Sequence, residues 1–343
     1  FDPGPIDWGG APTSTLDCGT TTIDTTDPDG SGQLVATISN WCGTTPTPVV
    51  QSQASGPEVV VVPLRGLTVS AGNTLQLTGD RPVILAVDGD VVVDGVIDAS
   101  ASGNTPGAGG NWSCGSSQGG DGGGNYARTQ GASGGGGGGF GTAGGDGQLS
   151  DSDYDYFVGS FNDGEWYAGG AGGQQRGDSA LVPLVGGCAG GKAGGCATAG
   201  GAGGGAVQIS AAGSLSVTGT IRANGGNGSV PCGASDEGGG TGGGSGGGIL
   251  LEGASLDTSS ATLQANGGDG GGNGTYCGLY PDHCCADQHY PYLGSTDPGS
   301  KGESGLTDFD TCNAATCSGG DDICNGGGPG GGGGYGRIHT VMH

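Results

Sequence analysis

VQISAAGSLSVTGTIRANGGNG, residues 207 to 228, decides how the chain folds. Val207, Ile209 and Ala211, then Leu215 and Val217, alternate with small or polar residues, the period of two that marks a β-strand. The alternation ends at Ala-Asn-Gly-Gly and gives way to glycine, and ATLQANGGDG at 261 to 270 ends on the same four letters. A strand that stops repeatedly at one signal points to a repeating unit rather than to independent hairpins.

Three further segments can be laid over this one with their apolar residues in phase. LTVSAGNTLQLTG (67 to 79) aligns Leu67, Val69, Ala71, Leu75 and Leu77, and VILAVDGDVVVDG (83 to 95), 16 residues on, aligns Val83, Leu85, Val87, Val91 and Val93. A fourth copy starts at Ile249 and Leu251 and resumes at Leu263 and Ala265, which match Ile221 and Ala223. Its phase slips at Leu256, the mark of a bulge. Asn73, Gly89, Gly213 and Ser255 fall midway, where the chain is expected to turn a corner. Strand, corner, strand is then one coil of a stack, because such a unit cannot bury its apolar face alone. The predicted fold is all-β: β-solenoid or β-helix-like coils with long glycine-rich insertions.

The insertions occupy about 101 to 205, 224 to 247 and 266 to 336. They lack the Gly-X-Y register of collagen but suit the extended polyproline II conformation, with three residues per turn. Without Cβ atoms, several such segments can lie side by side and bond through their backbones. The Ala-Asn-Gly-Gly signal is read as the exit from a β-coil into a sheaf of polyglycine II helices, the alternative being a flexible linker. Three parts follow: residues 1–10 as an N-terminal extension for subunit docking, 11–60 as a disulfide-closed β segment, and 61–343 as the glycine-rich solenoid.

Composition limits the partners. Of 343 residues 90 are glycine, and 33 acidic residues against 8 Lys and Arg give a net charge of −25, which repels nucleic acid and anionic lipid. No apolar run approaches the length of a membrane span. Twelve cysteines, at 18, 42, 114, 188, 196, 232, 277, 284, 285, 312, 317 and 324, include no pair at the CxxC spacing of zinc ribbons. Cys18, Cys42, Cys114, Cys188, Cys196, Cys232, Cys277, Cys284, Cys285, Cys312, Cys317 and Cys324 are expected to be oxidised in a secreted, extracellular protein, with Cys18 closing on Cys42. Phe1 reads as a mature terminus left by signal-peptide cleavage.

SGPEVVVVPLRGLTVSAGNTLQLTGDRPVILAVDGDVVVDGVIDASA, GGGGGGFGTAGGDG, GGAGGGAVQISAAGSLSVTGTIRANGGNG and GGGSGGGILLEG together resemble the exported glycine-rich proteins of myxobacteria-like bacteria. The resemblance covers about residues 40 to 340 and implies an extracellular β-solenoid-like protein, with no catalytic residues to carry over. The glycine runs are similar in composition to the polyglycine II regions of phage tail-tip adhesins and insect antifreeze proteins, which implies that a glycine sheaf can be a binding surface.

Candidate chemistry is sparse. Asp27 and Asp29 in DPDGSG, and Asp151, Asp153 and Asp155 in DSDYDYF, place carboxylates at alternate positions as Ca²⁺ ligands require, though neither completes a calcium loop. His283, Cys284, Cys285 and His289 could hold zinc, against the stronger reading that the cysteines form disulfides. HExxH and a phosphate loop are absent. No catalysis is expected and no cofactor is required, Ca²⁺ being the one candidate.

The resulting expectation is a structural subunit of a self-assembling extracellular fibre, sheath or matrix, a head-to-tail homopolymer in which Phe1 and Trp8 dock on a neighbouring subunit. The alternative is a monomeric adhesin contacting cell surfaces or glycans through its glycine-rich face. A polysaccharide-acting β-helix enzyme is a more distant third.

Overall fold

The computed structural model describes residues 1, 4, 6–27, 35–124, 132–149, 167–195, 197–229, 239–272 and 330–342, together with the backbone of two short strands at 275–277 and 324–326. Among these residues the protein is all-β, with one 3-10 turn at Gly115–Ser117. The strands in chain order are β1 (Thr13–Leu16), β2 (Thr20–Asp24), β3 (Thr37–Ser39), β4 (Val49–Gln51), β5 (Val59–Leu64), β6 (Gly66–Val69) and β7 (Thr74–Thr78). They continue as β8 (Val83–Val87), β9 (Val91–Val93), β10 (Val96–Asp98), β11 (Ala206–Val217), β12 (Thr220–Arg222), β13 (Gly248–Asp257) and β14 (Thr262–Gln264). Last come β15 (Thr275–Cys277), β16 (Cys324–Gly326) and β17 (Arg337–Met342).

The strands form three parallel rows. In the first, Val60 lies against Val83, Val83 against Val207, Val207 against Ile249 and Ile249 against Ile338. The second runs β1, β6, β9 and the later half of β11, which pairs with the later half of β13. The third runs β2, β7, β10, β12 and β14. β11 and β13 pass through two rows, so the first two rows merge into one nine-stranded sheet beside a six-stranded one. The sheets are mixed, because β3 and β4 join antiparallel at their edges.

The overlay of 83–95 on 207–219 and of 249 on 207 reproduces the observed register, including a shift between Ala211 and Ser214 that absorbs the slip at Leu256. The overlay of 67–79 on 83–95 does not: Leu67 lies against Val91, and Val83 against Val60. The repeat has three strands, and a period of two carries no information on which row a strand occupies. The sequence overlay was therefore one strand out of step.

Inward residues stack in ladders such as Val62, Leu85, Ile209 and Leu251 or Leu75, Ile97, Ile221 and Leu263, forming one apolar core. The other face of the first row is covered too. Val59, Val61, Ile84, Ala86, Ala206 and Leu250 pack with Phe140, Leu181, Leu184 and Val185 from the largest insertion. Burial on both faces explains why β5 (VVVVPL) and β8 (VILAV) are continuous apolar runs rather than alternating ones. The two ends differ. At the N-terminal end Val35, Ala36, Ile38, Trp41, Cys42 and Val50 pack against the core. At the other end β17 leaves Ile338 42% and Met342 71% exposed.

All long insertions leave the end of the third row and return at the start of the first. They bond to one another in an ordered way, most clearly around residues 132–139. Ser133, Gly136 and Gly139 donate to Gly123, Gly120 and Ser117; Gly134 and Gly137 donate to Gln148 and Gly145; Gly135 and Gly138 donate to Gly240 and Gly243. Donors three residues apart thus meet the same neighbour. The segment accepts in turn from 167–173, 186–194 and 330–334, through Gly170, Gly191 and Gly331 among others. Glycine is required by proximity: a Cβ on Gly138 would collide with the Cys188 carbonyl oxygen, and one on Gly242 with that of Gly136.

Candidate binding groove

Where the third row hands the chain to the glycine insertions, the Ala-Asn-Gly-Gly signals line up. They form an open groove of about 670 Å³ with walls from four successive repeats. Gln76 and Thr78 come from β7, Asp98, Ser100 and Ser102 from β10 and its exit, Arg222, Asn224 and Asn227 from β12 and its exit, and Asn266 and Asp269 follow β14. Alternation turns Leu75, Ile97, Ile221 and Leu263 inward, so their neighbours Gln76, Asp98, Arg222 and Gln264 face outward as a ladder.

The polar groups are tied to one another. Arg222 Nη2 donates to Asp98 Oδ2 at 2.8 Å, and the Ser100 amide donates to Asp98 Oδ1 at 2.9 Å. Gln76 Nε2 donates to the Asp98 carbonyl at 3.1 Å. Further along, backbone amides of one repeat donate to side chains of the previous one: Asn224 to Ser100 Oγ at 3.0 Å, Asn266 to Asn224 Oδ1 at 2.9 Å, and Asp269 to Asn227 Oδ1 at 3.0 Å. These contacts fix the Asn224 and Asn227 side chains, and Asn224 Nδ2 donates in turn to Gln264 Oε1 at 3.4 Å. Both Asp98 oxygens accept a hydrogen bond, Oδ2 from Arg222 and Oδ1 from the Ser100 amide.

The groove was not anticipated from sequence, although its signal was there. NGGNG at 224 to 228 and NGGDG at 266 to 270 were read only as strand exits. The asparagines of the first also cap the backbone of the second across the stack.

Other expected sites fall elsewhere. Asp27 is committed to a cation already present, since Arg81 Nη2 donates to it at 3.0 Å while Arg81 Nε reaches Glu58 at 3.3 Å. Asp29, Asp151, Asp153 and Asp155, the alternative calcium set, lie outside the described residues, as do His283, Cys284, Cys285 and His289. Among the described residues no group of three or more His, Cys, Asp or Glu side chains could hold a metal ion.

Cys18 and Cys42 are disulfide-bonded with Cα atoms 6.0 Å apart, and Cys114 and Cys188 with Cα atoms 5.8 Å apart. The second bond ties the start of the largest insertion to the segment beside Gly138. Half burial pulls the Arg176 guanidinium below its ordinary value, and Arg176 Nη1 donates to the Trp112 carbonyl at 2.9 Å beside this disulfide. Cys277 and Cys324 stand opposite each other in the antiparallel pair β15/β16. Cys196, Cys232, Cys284, Cys285, Cys312 and Cys317 lie outside the described residues. Two disulfides fit an extracellular protein, and no helix among the described residues is long and apolar enough to cross a membrane.

Of the segment expected to dock on a neighbour, Ile6 and Trp8 pack on their own chain. Ile6, 6% exposed, belongs to the cluster covering the first row and Trp8 packs against it, while Phe1 is 44% exposed. The apolar outer face of β5 and β8 needs a cover, and this segment supplies part of it. Compared with family models, curated proteins and solved structures, the chain shows no significant match.

Proposed function

We propose that this chain is an extracellular, non-catalytic binding module, an adhesin-like β-solenoid that attaches to a surface ligand along the polar groove. The glycine insertions form a polyglycine II sheaf that stiffens one side of the solenoid. The threefold rotation of donors along 132–139 supports that assignment. The observation that carries the functional reading is the alignment of Asp98, Arg222, Asn224, Asn227 and Asn266 in one groove built from several repeats. Side chains brought together from distant parts of the chain and fixed by backbone bonds are pre-organised for binding. No cofactor is required for this role. In this reading Asp98 holds Arg222 and the Ser100 amide in place along the groove.

Binding of the purified protein to whole cells and to a broad glycan array tests the reading. Arg222→Ala with Asn224→Ala should abolish attachment while leaving the far-ultraviolet circular dichroism unchanged. Attachment unaffected by these changes would overturn it.

A second reading, the fibre subunit, is favoured by β17, an open strand edge with Ile338 and Met342 exposed. The covered N-terminal end, closed by Trp41 and the Cys18–Cys42 bond, speaks against head-to-tail growth, since a filament needs two open ends. Electron microscopy of the secreted protein separates the two, filaments supporting the fibre and dispersed particles the module.

A further inference from the structure

We infer that the groove takes an uncharged polysaccharide, lying along the stacking axis and held by its hydroxyl edges rather than by its ring faces. This inference rests on the binding-module reading and names its ligand class. Neighbouring rungs in a sheet are about 4.8 Å apart, so four repeats offer polar groups over roughly 14 Å. That length suits a chain of several sugar rings and exceeds what a single sugar can bridge.

The chemistry of the rungs selects hydroxyl groups. The Asn224 amide is used on both sides, Oδ1 accepting from the Asn266 backbone amide and Nδ2 donating to Gln264 Oε1 at 3.4 Å, while the Asn227 oxygen accepts from the Asp269 backbone amide and the Asn227 side chain, with its Nδ2 donor, lines the groove. Gln76, bonded through Nε2 to the Asp98 carbonyl, also lines the groove and brings an Oε1 acceptor to it. Hydroxyls both donate and accept, so one repeating ligand satisfies both kinds of group. Pairwise contacts of this sort are worth about 1 kcal/mol each, so affinity must come from repetition along the chain.

Charge excludes the alternatives. The lining contains Asp98, Arg222 and Asp269, and Arg222 is neutralised by Asp98 at 2.8 Å. The whole chain carries −25, so uronate or sulfated polymers are repelled. Among the described residues the lining has no Trp, Tyr or Phe, and so offers no stacking platform for sugar faces.

Native gels cast with dextran, hydroxyethyl cellulose, polygalacturonate or chitosan test the inference, at about 0.15 M salt where charges are screened beyond about 8 Å. At least one neutral polymer should retard the protein. Asn224→Ala with Asn266→Ala should weaken that retardation about tenfold, as loss of one or two hydrogen bonds predicts. Arg65→Ala, on another face, should leave it unchanged, and oligosaccharides should compete where the monosaccharide does not. Retention by polygalacturonate or chitosan alone, or full retention of the asparagine variant, overturns the inference. If no neutral polymer binds yet groove variants still lose attachment to cells, the ligand class is wrong and the module stands. If attachment to cells is also unchanged, both fall.

Discussion

Asp98 and Arg222 stand 124 residues apart in sequence and form an ion pair at 2.8 Å. They are one of four polar contacts at that same separation. Asp90 bonds Ser214, Asp94 bonds Thr218 and Ser100 bonds Asn224, so every corner of the second repeat is clipped to the third across the largest insertion. A loop of this length adds little closure entropy per residue, and the clips help select the right register when it closes. Arg222 is 43% exposed against 10% for Asp98 at the side chain, so screening leaves their Coulomb attraction modest. Arg222→Ala should cost about 0.5–1 kcal/mol. Asp98→Ala should cost more, about 2 kcal/mol, because it also strips the Ser100 amide of its acceptor. Urea unfolding checks the order; equal losses would show that the ion pair, not the carboxylate's second bond, matters.

The glycine sheaf separates two costs of replacing glycine. Gly138 is buried where a Cβ would strike the Cys188 carbonyl, so Gly138→Ala should lose about 2–3 kcal/mol by overpacking. Gly103 has φ +58° with nothing within 4 Å of an added Cβ, so Gly103→Ala should lose only about 1 kcal/mol, through backbone strain. Thermal melts of the two variants provide the comparison. A Gly138→Ala protein as stable as wild type would mean that the insertions are not packed backbone to backbone.

Much of this architecture is legible in the sequence, and the limits have physical causes. Val207 with Ile249 and Ile221 with Leu263 could be paired because the copies share both period and exit signal. Leu67 was matched to Val83 because alternation is identical in all three rows, and only the inserted turns distinguish them. Oxidation of Cys18 to Cys42 followed from cysteine usage. The groove was not readable, since it depends on Gln76, Asp98, Arg222 and Asn266 coming from four different repeats with correct relative register. Residues 1–10, with Phe1 and Trp8, were assigned to a neighbouring subunit because nothing in FDPGPIDWGG tells that the outer face of β5 and β8 needs covering.

Asp90 gives the fold an acid-sensitive clip. The Ser214 backbone amide and hydroxyl donate to Asp90 Oδ1 at 2.7 and 2.8 Å, and these bonds, the amide first, hold its pKa below the ordinary carboxylate value. A carboxylate whose pKa is lower in the folded state contributes stability above its unfolded value of about 3.9, and the contribution is lost as pH falls through the folded value. Asp257 behaves in the same direction through Ser259, but within its own turn. Melting temperature measured from about pH 6 down to pH 2 should therefore fall more steeply for the wild type than for Asp90→Asn. Parallel curves would remove Asp90 from the account of acid unfolding.

Residues 1 to 10 decide between two uses of the same segment. Ile6 is buried against Val59, Val61, Ile84, Ala86 and Leu250 in its own chain, with Trp8 packed at the margin. Full burial of an isoleucine is worth about 1.5–3 kcal/mol, and deletion uncovers its apolar partners as well. The truncated protein should thus unfold about 2–4 kcal/mol more easily and, with a new apolar patch on its flank, self-associate. The docking model predicts the reverse: a truncated protein of unchanged stability, soluble and monomeric, from a wild type that polymerises. Denaturant unfolding combined with size-exclusion chromatography distinguishes them. Ile6→Ser makes the finer test, because it leaves Phe1 and Trp8 in place: loss of stability in a wild-type background that stays monomeric assigns the segment to its own fold, whereas loss of filaments at constant stability assigns it to a neighbour.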